Sequence, residues 1–123
     1  MSGGAPCLST EASRDACRGH GVLLVLDEIW SGLGRSGRLF AFDHAGIAPD
    51  LVALGKGLSA SLTLSAVAGR RDILGAWSPG AHTSTFMGNP LACAAAAATL
   101  RVLRERGSPR AQRPRSRRPC GRR

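Results

Sequence analysis

The run Gly21–Leu26, GVLLVL, is the segment that most limits what this chain can become. It shows no alternation of polar and apolar residues, the pattern of a strand covered on both faces within a parallel sheet. It stops at Asp27 and Glu28. A second apolar run, DLVAL over Asp50–Leu54, follows after enough chain for a crossover, so the two strands can lie parallel. A third run, LSAVA over Leu64–Ala68, comes after only Gly57–Thr63, too short a link for a helical crossover, and is predicted to run antiparallel to the second. The expected class is α/β, with a mixed but mainly parallel sheet.

The remaining segments fit around such a sheet. SGLGRSGRLF, over 31–40, is dense in turn-forming glycine, and the stretch after it closes at Gly46 and Pro49, which predicts a loop or a loop with one short helix. Glu11–Gly19 reads as the last turns of a helix stopped by glycine. Asn89-Pro90 is an N-cap and first-turn signal, LACAAAAATLRVLRER after it is rich in helix formers, and Gly107 is placed to end the helix. Arg101, Arg104 and Arg106 would complement the negative end of its dipole.

The chain of 123 residues is 43% apolar, which supports a packed core in one modest domain. Its formal charge of +9 is misleading about that core. Gly107–Arg123 holds seven arginines and no acid, leaving ten basic and eight acidic residues before it, a net +2. Three segments are expected: a frayed start at 1–10, a folded body at 11–106, and a disordered Arg/Pro-rich tail at 107–123. Cys7, Cys17, Cys93 and Cys120 lack the close pairing of a zinc site or disulfide framework, and His20, His44 and His82 share no ligand spacing, so no metal site is expected. With neither a secretory start nor a membrane-length apolar run, the expected location is the cytoplasm, with no membrane partner.

Lys56 is the only lysine; every other basic residue among the seventeen is arginine. Arginine cannot lose its proton at useful pH, whereas a lysine amine can do so and attack a carbonyl. Lys56 follows the second strand between Gly55 and Gly57, and Asp27 ends the first. In open α/β sheets, ligands gather at such carboxyl ends. Glycines beside the lysine permit close approach of a cofactor, and the carboxylate suits a cationic ring nitrogen. On position alone, a helix-capping Asp27 and a solvated loop Lys56 are an equally open alternative.

The longer pattern narrows this. Asp27-Glu28-Ile29, Ser31-Gly32-Leu33-Gly34-Arg35-Ser36-Gly37, Pro49-Asp50, Gly55-Lys56-Gly57, Ser84-Thr85-Phe86 and Gly88-Asn89-Pro90-Leu91-Ala92-Cys93 occur in order and at matching spacing. In these motifs the chain, from about Glu11 to Gly107, resembles the class III pyridoxal-phosphate-dependent aminotransferases, the acetylornithine, ornithine and 4-aminobutyrate group. The resemblance implies part of the large domain of a fold-type I transferase. The implied activity is transfer of an amino group from an amino acid or amine to a 2-oxo acid, in a homodimer. It further implies that Lys56 binds pyridoxal 5'-phosphate as a Schiff base and then shuttles a proton, and that Asp27 pairs with the pyridine nitrogen. Ile29 would pack on the cofactor ring, with a plain core role as the alternative. Thr85 would reach the phosphate held by the neighbouring subunit, with a turn-capping role as the alternative. A close charge pair at an effective dielectric near 20 interacts by roughly 4 kcal/mol, enough to hold a proton on that nitrogen.

Two departures stand out. Trp30 occupies a position where many relatives have a glutamine near the cofactor's phenolic oxygen, and Thr63 replaces a proline common in the loop after the lysine. Arg35 is expected to anchor the glycine-rich loop. The family's phosphate loop, ring-stacking aromatic and substrate-gating acid are not found in residues 1–20, nor is the arginine that grips the substrate carboxylate found downstream. The expectation is a truncated or frameshifted member, inactive alone. The alternative function is polyanion or nucleic-acid binding through the basic tail, disfavoured by few aromatics and the lack of a recognised binding fold.

Overall fold

A computed structural model describes residues 10–106. Most of the expected frayed start and the whole expected tail, 1–9 and 107–123, lie outside the described residues. Thr10 already belongs to the first helix, α1, Thr10–Gly19. The Val22 amide donates to the Cys17 carbonyl at 2.9 Å, closing that helix as the chain turns toward the sheet.

Three short strands form one sheet in the order β1 (Val25–Asp27), β2 (Leu51–Leu54), β3 (Ala66–Gly69). β1 and β2 are parallel, with Val25 opposite Leu51 and Asp27 opposite Ala53. β2 and β3 are antiparallel, with Leu51 opposite Gly69 and Leu54 opposite Ala66. The sheet is mixed, as the loop lengths predicted, and the central strand carries both kinds of pairing. The third strand begins two residues later than the apolar run suggested.

The first strand corrects a sequence expectation. Leu24 is buried, but Val22, Leu23 and Val25 are 59%, 47% and 56% exposed, so the run is not covered on both faces here. The physical reason is the absence, among the described residues, of a layer over that side of the sheet. β3 is exposed along its whole length, so neither of its faces is covered among the described residues.

The other side does have cover. Helix α3, Pro90–Arg106, begins as predicted: Asn89 Oδ1 accepts from the Leu91 and Ala92 amides at 3.0 and 3.2 Å. Its alanines permit a close approach, and Ala92 and Ala96 are 2% and 7% exposed against the turn that follows β2. The core joins Leu33, Val52, Leu54, Leu58 and Ala96, edged by Phe40 and Phe42, whose rings stack at 5.0 Å. Each fully buried aliphatic side chain contributes about 1.5–3 kcal/mol, so this small cluster is the main attraction holding helix to sheet. A one-turn helix, α2 (Arg71–Leu74), and a 3₁₀ turn, Ala41–His44, complete the described structure. No helix among the described residues is long and apolar enough to cross a membrane.

Candidate active site

The parallel pairing of β1 with β2 brings the carboxyl ends of both strands to one edge of the sheet. Asp27 sits opposite Ala53, and the Glu28 amide continues the ladder by donating to the Ala53 carbonyl at 3.0 Å. The chain then passes through Gly55 into a 3₁₀ turn, Lys56–Ser59. Lys56 is therefore delivered to the edge that holds Asp27.

Both charged groups are exposed and held by local geometry. Asp27 is not a helix cap: its Oδ1 accepts from the Ile29 amide at 2.9 Å, a tight turn that fixes the carboxylate at the strand end. Lys56 has φ +41°, a left-handed conformation that a side chain with Cβ adopts at a cost of about 1–3 kcal/mol. The surroundings hold it there. The Leu58 amide donates to Gly55 at 3.0 Å, and Leu58 and Ser59 are 4% and 1% exposed. The Ser59 hydroxyl donates to the Leu62 carbonyl, closing the turn from within.

The glycine-rich loop is organised by Glu28, which is 3% exposed. Its carboxylate accepts from the Ser31 hydroxyl and from the Phe42 amide, the latter at 3.0 Å, tying both ends of the loop to the strand. Gly32 is required at its position: a Cβ there would lie 2.8 Å from the Glu28 carbonyl oxygen. Arg35 reaches back, donating to the carbonyls of Ile29 and Trp30 at 3.3 Å each, while its guanidinium lies along Gly57. Arg35 thus bridges the loop after β1 and the turn after β2.

Of the other predicted residues, Ile29 packs against Gly55, where an added Cβ would sit 3.6 Å from Ile29 Cγ2. It also lines a hollow of about 490 Å³ beside the sheet, together with Leu54, Leu64, Trp77 and Phe86. Neither Asp27 nor Lys56 lines that hollow. Thr85 stands in an exposed turn before α3; its neighbours Ser84 and Phe86 line the hollow and Thr85 does not. Asp27, Ile29 and Lys56 are thereby grouped at the strand ends, and Thr85 is presented separately.

Three residues escaped the sequence reading. Glu28 lay inside a recognised motif with no role attached, and only burial reveals that it holds the loop. Trp30 was noted as a departure, but its position is informative: the Lys56 ammonium lies 4.0 Å from the centroid of the Trp30 ring. A third, Asp50, works at the opposite end of the strands. Its Oδ2 accepts from the Leu24 amide at 2.8 Å and its Oδ1 pairs with Arg70 at 2.9 Å, while Arg70 also pairs with Asp72. The Leu24 amide, then Arg70, hold the Asp50 carboxyl below the usual carboxylate range, and Asp72 is lowered chiefly by Arg70. A proline-aspartate pair opening a strand was the available signal.

The arrangement matches known proteins. The Aminotransferase class-III family profile matches residues 8–113. Acetylornithine aminotransferase of Methanopyrus kandleri is 46% identical over 98 residues, covering 80% of this chain and 25% of that protein. Ornithine aminotransferase of Bacillus cereus is 52% identical over 92 residues, covering 74% of this chain and 23% of that protein. The crystal structure of ornithine aminotransferase from Toxoplasma gondii superposes with a TM-score of 0.73 at 49% identity, over 78% of this chain and 23% of that one. The chain spans about a quarter of the length of the curated relatives it matches. With its profile match, its sequence identity and its fold all agreeing, the chain belongs to the class III aminotransferase family.

Proposed function

We propose that this chain carries the cofactor-holding face of a pyridoxal-phosphate-dependent aminotransferase, with Lys56 as the catalytic amine and Asp27 as the carboxylate for the pyridine nitrogen. The observation that carries this reading is the delivery of both groups, exposed, to one edge of the sheet by the parallel pairing of β1 with β2. The donor set suits the group: one amine able to lose its proton, one carboxylate, and the branched side chain of Ile29 against the adjoining glycine. Pyridoxal phosphate, when bound, supplies an electron-withdrawing ring that stabilises negative charge on the substrate carbon.

The chain's own residues have distinct tasks. Lys56 Nζ would hold the cofactor and, as a free amine, would take up and return a proton. Asp27, fixed by the Ile29 amide, would keep a proton on the ring nitrogen through a charge-assisted hydrogen bond. Arg35 and Glu28 keep the two loops in register around these groups. Thr85, in its exposed turn, is available to the phosphate site of a second copy in a homodimer. The substrates would be an amino acid or amine donor and a 2-oxo acid acceptor, in the cytoplasm.

The test is chemical. Incubation with pyridoxal phosphate, reduction with borohydride and peptide mapping should place the adduct on Lys56, and Lys56→Ala should abolish it. An unmodified Lys56 in the wild-type chain would sink the reading.

A further inference from the structure

We propose that Trp30 is a positioning residue for Lys56: the indole face holds the lysine ammonium at the strand-end edge until the amine gives up its proton and leaves the ring for the incoming cofactor. This rests on the assignment of Lys56 as the cofactor-holding amine. It goes beyond that assignment because it gives a role to a side chain that departs from the glutamine common in the family.

The geometry is specific. Lys56 Nζ lies 4.0 Å from the Trp30 ring centroid, within the range where the ring's quadrupole attracts a cation. A lysine side chain has four rotatable bonds and, in water, loses conformational freedom when it is held in one place. Here the backbone at φ +41° sets its direction and the indole supplies a landing surface. The ring is itself held. Arg35 donates to the Trp30 carbonyl at 3.3 Å, and its guanidinium carbon lies 6.0 Å from the same ring centroid. Because that guanidinium also lies along Gly57, one arginine spans the platform and the turn that carries the lysine. A glutamine at position 30 offers neither an aromatic face nor comparable area.

The ring is 73% exposed, so its replacement should leave the core intact. Approach of a carbonyl to the amine then requires Lys56 to leave the ring face, and the platform sets where that departure starts.

Lys56 being the only lysine makes the test direct. Labelling the full chain with ¹³C-lysine gives a single ε-methylene signal. Over an indole face that signal should lie upfield of a solvated lysine. Trp30→Phe should keep part of the displacement and Trp30→Gln should abolish it. In parallel, because the ring favours the ammonium and capture needs the free amine off the ring, the rate of borohydride-fixed capture of pyridoxal phosphate at Lys56 should rise about two- to fivefold in Trp30→Gln, the range for loss of an exposed cation–π contact. Trp30→Phe should stay closer to the wild-type rate. A wild-type signal at the solvated position overturns the proposal, as does equal capture by wild type and Trp30→Gln. An upfield signal without any adduct on Lys56 in any variant instead overturns the cofactor assignment on which it rests.

Discussion

The two ends of this sheet are built on different principles. At the end where Leu24, Asp50 and Gly69 meet, charges are paired and the backbone is closed. Asp50 accepts from Leu24, Arg70 bridges Asp50 and Asp72, and the Arg70 amide donates to the Asp50 carbonyl at 2.9 Å. At the opposite end Asp27 and Lys56 are exposed, and Lys56 occupies a left-handed backbone. One end satisfies its polar groups within the fold; the other keeps a carboxylate and an amine available. Strain and unspent charge at one end are tolerable because the other end, and the buried Glu28, fix the strands that carry them.

Breaking the closed end should have the largest effect. A Cβ at Gly69 would lie 2.9 Å from Leu51 Cα and collide with the Asp50 carbonyl oxygen, so Gly69→Val is predicted to destabilise by about 2–4 kcal/mol, seen as a fall in the denaturation midpoint. If Gly69→Val melts with the wild type, the closed end is not what orders the sheet. Next comes Glu28→Ala, which strands the Phe42 amide and the Ser31 hydroxyl and should cost about 2 kcal/mol. Hydrogen exchange should then rise at Phe42 before it rises in β2.

Lys56→Gly sharpens the contrast, because stability and function should move in opposite directions. Relief of the left-handed strain should stabilise by about 1 kcal/mol, offset in part by glycine's greater freedom when unfolded, while pyridoxal phosphate capture disappears. A destabilised Lys56→Gly would show that the lysine contributes more through packing than it loses through strain. The smallest effect at neutral pH is that of the Asp50 clamp, since exposed pairs contribute little. Its pH signature has a defined sign. The folded-state pKa of Asp50 is depressed below the ordinary value of 3.8, so its contribution is present above that value and lost as pH falls through the lower folded value. Asp50→Asn should flatten that part of the acid limb in a pH series of melting curves.

Much of the fold was legible in short range. The loop after β2 is too short for a crossover, which dictated the antiparallel third strand before any contact was known. Asn89-Pro90 located the start of α3 because capping is a local bargain between a side chain and the next two amides. The candidate lysine and aspartate were legible for a similar reason, since strand ends and glycines are written in the sequence. Coverage of a strand was not. GVLLVL looks the same whether a second layer lies over it or not, and Val22 and Val25 are exposed because that depends on chain elsewhere.

The sequence by itself determined the order of the elements, the lone amine between two glycines and the membership of a family. Only the tertiary structure decided that Glu28 is buried beneath the glycine-rich loop, that Asp50 closes the far end, and that the Lys56 ammonium rests on Trp30. Those three facts join residues from separate loops and strands, and no local propensity encodes the distance between them; it is set by the register of β1 on β2 and the packing of α3 beneath the turn.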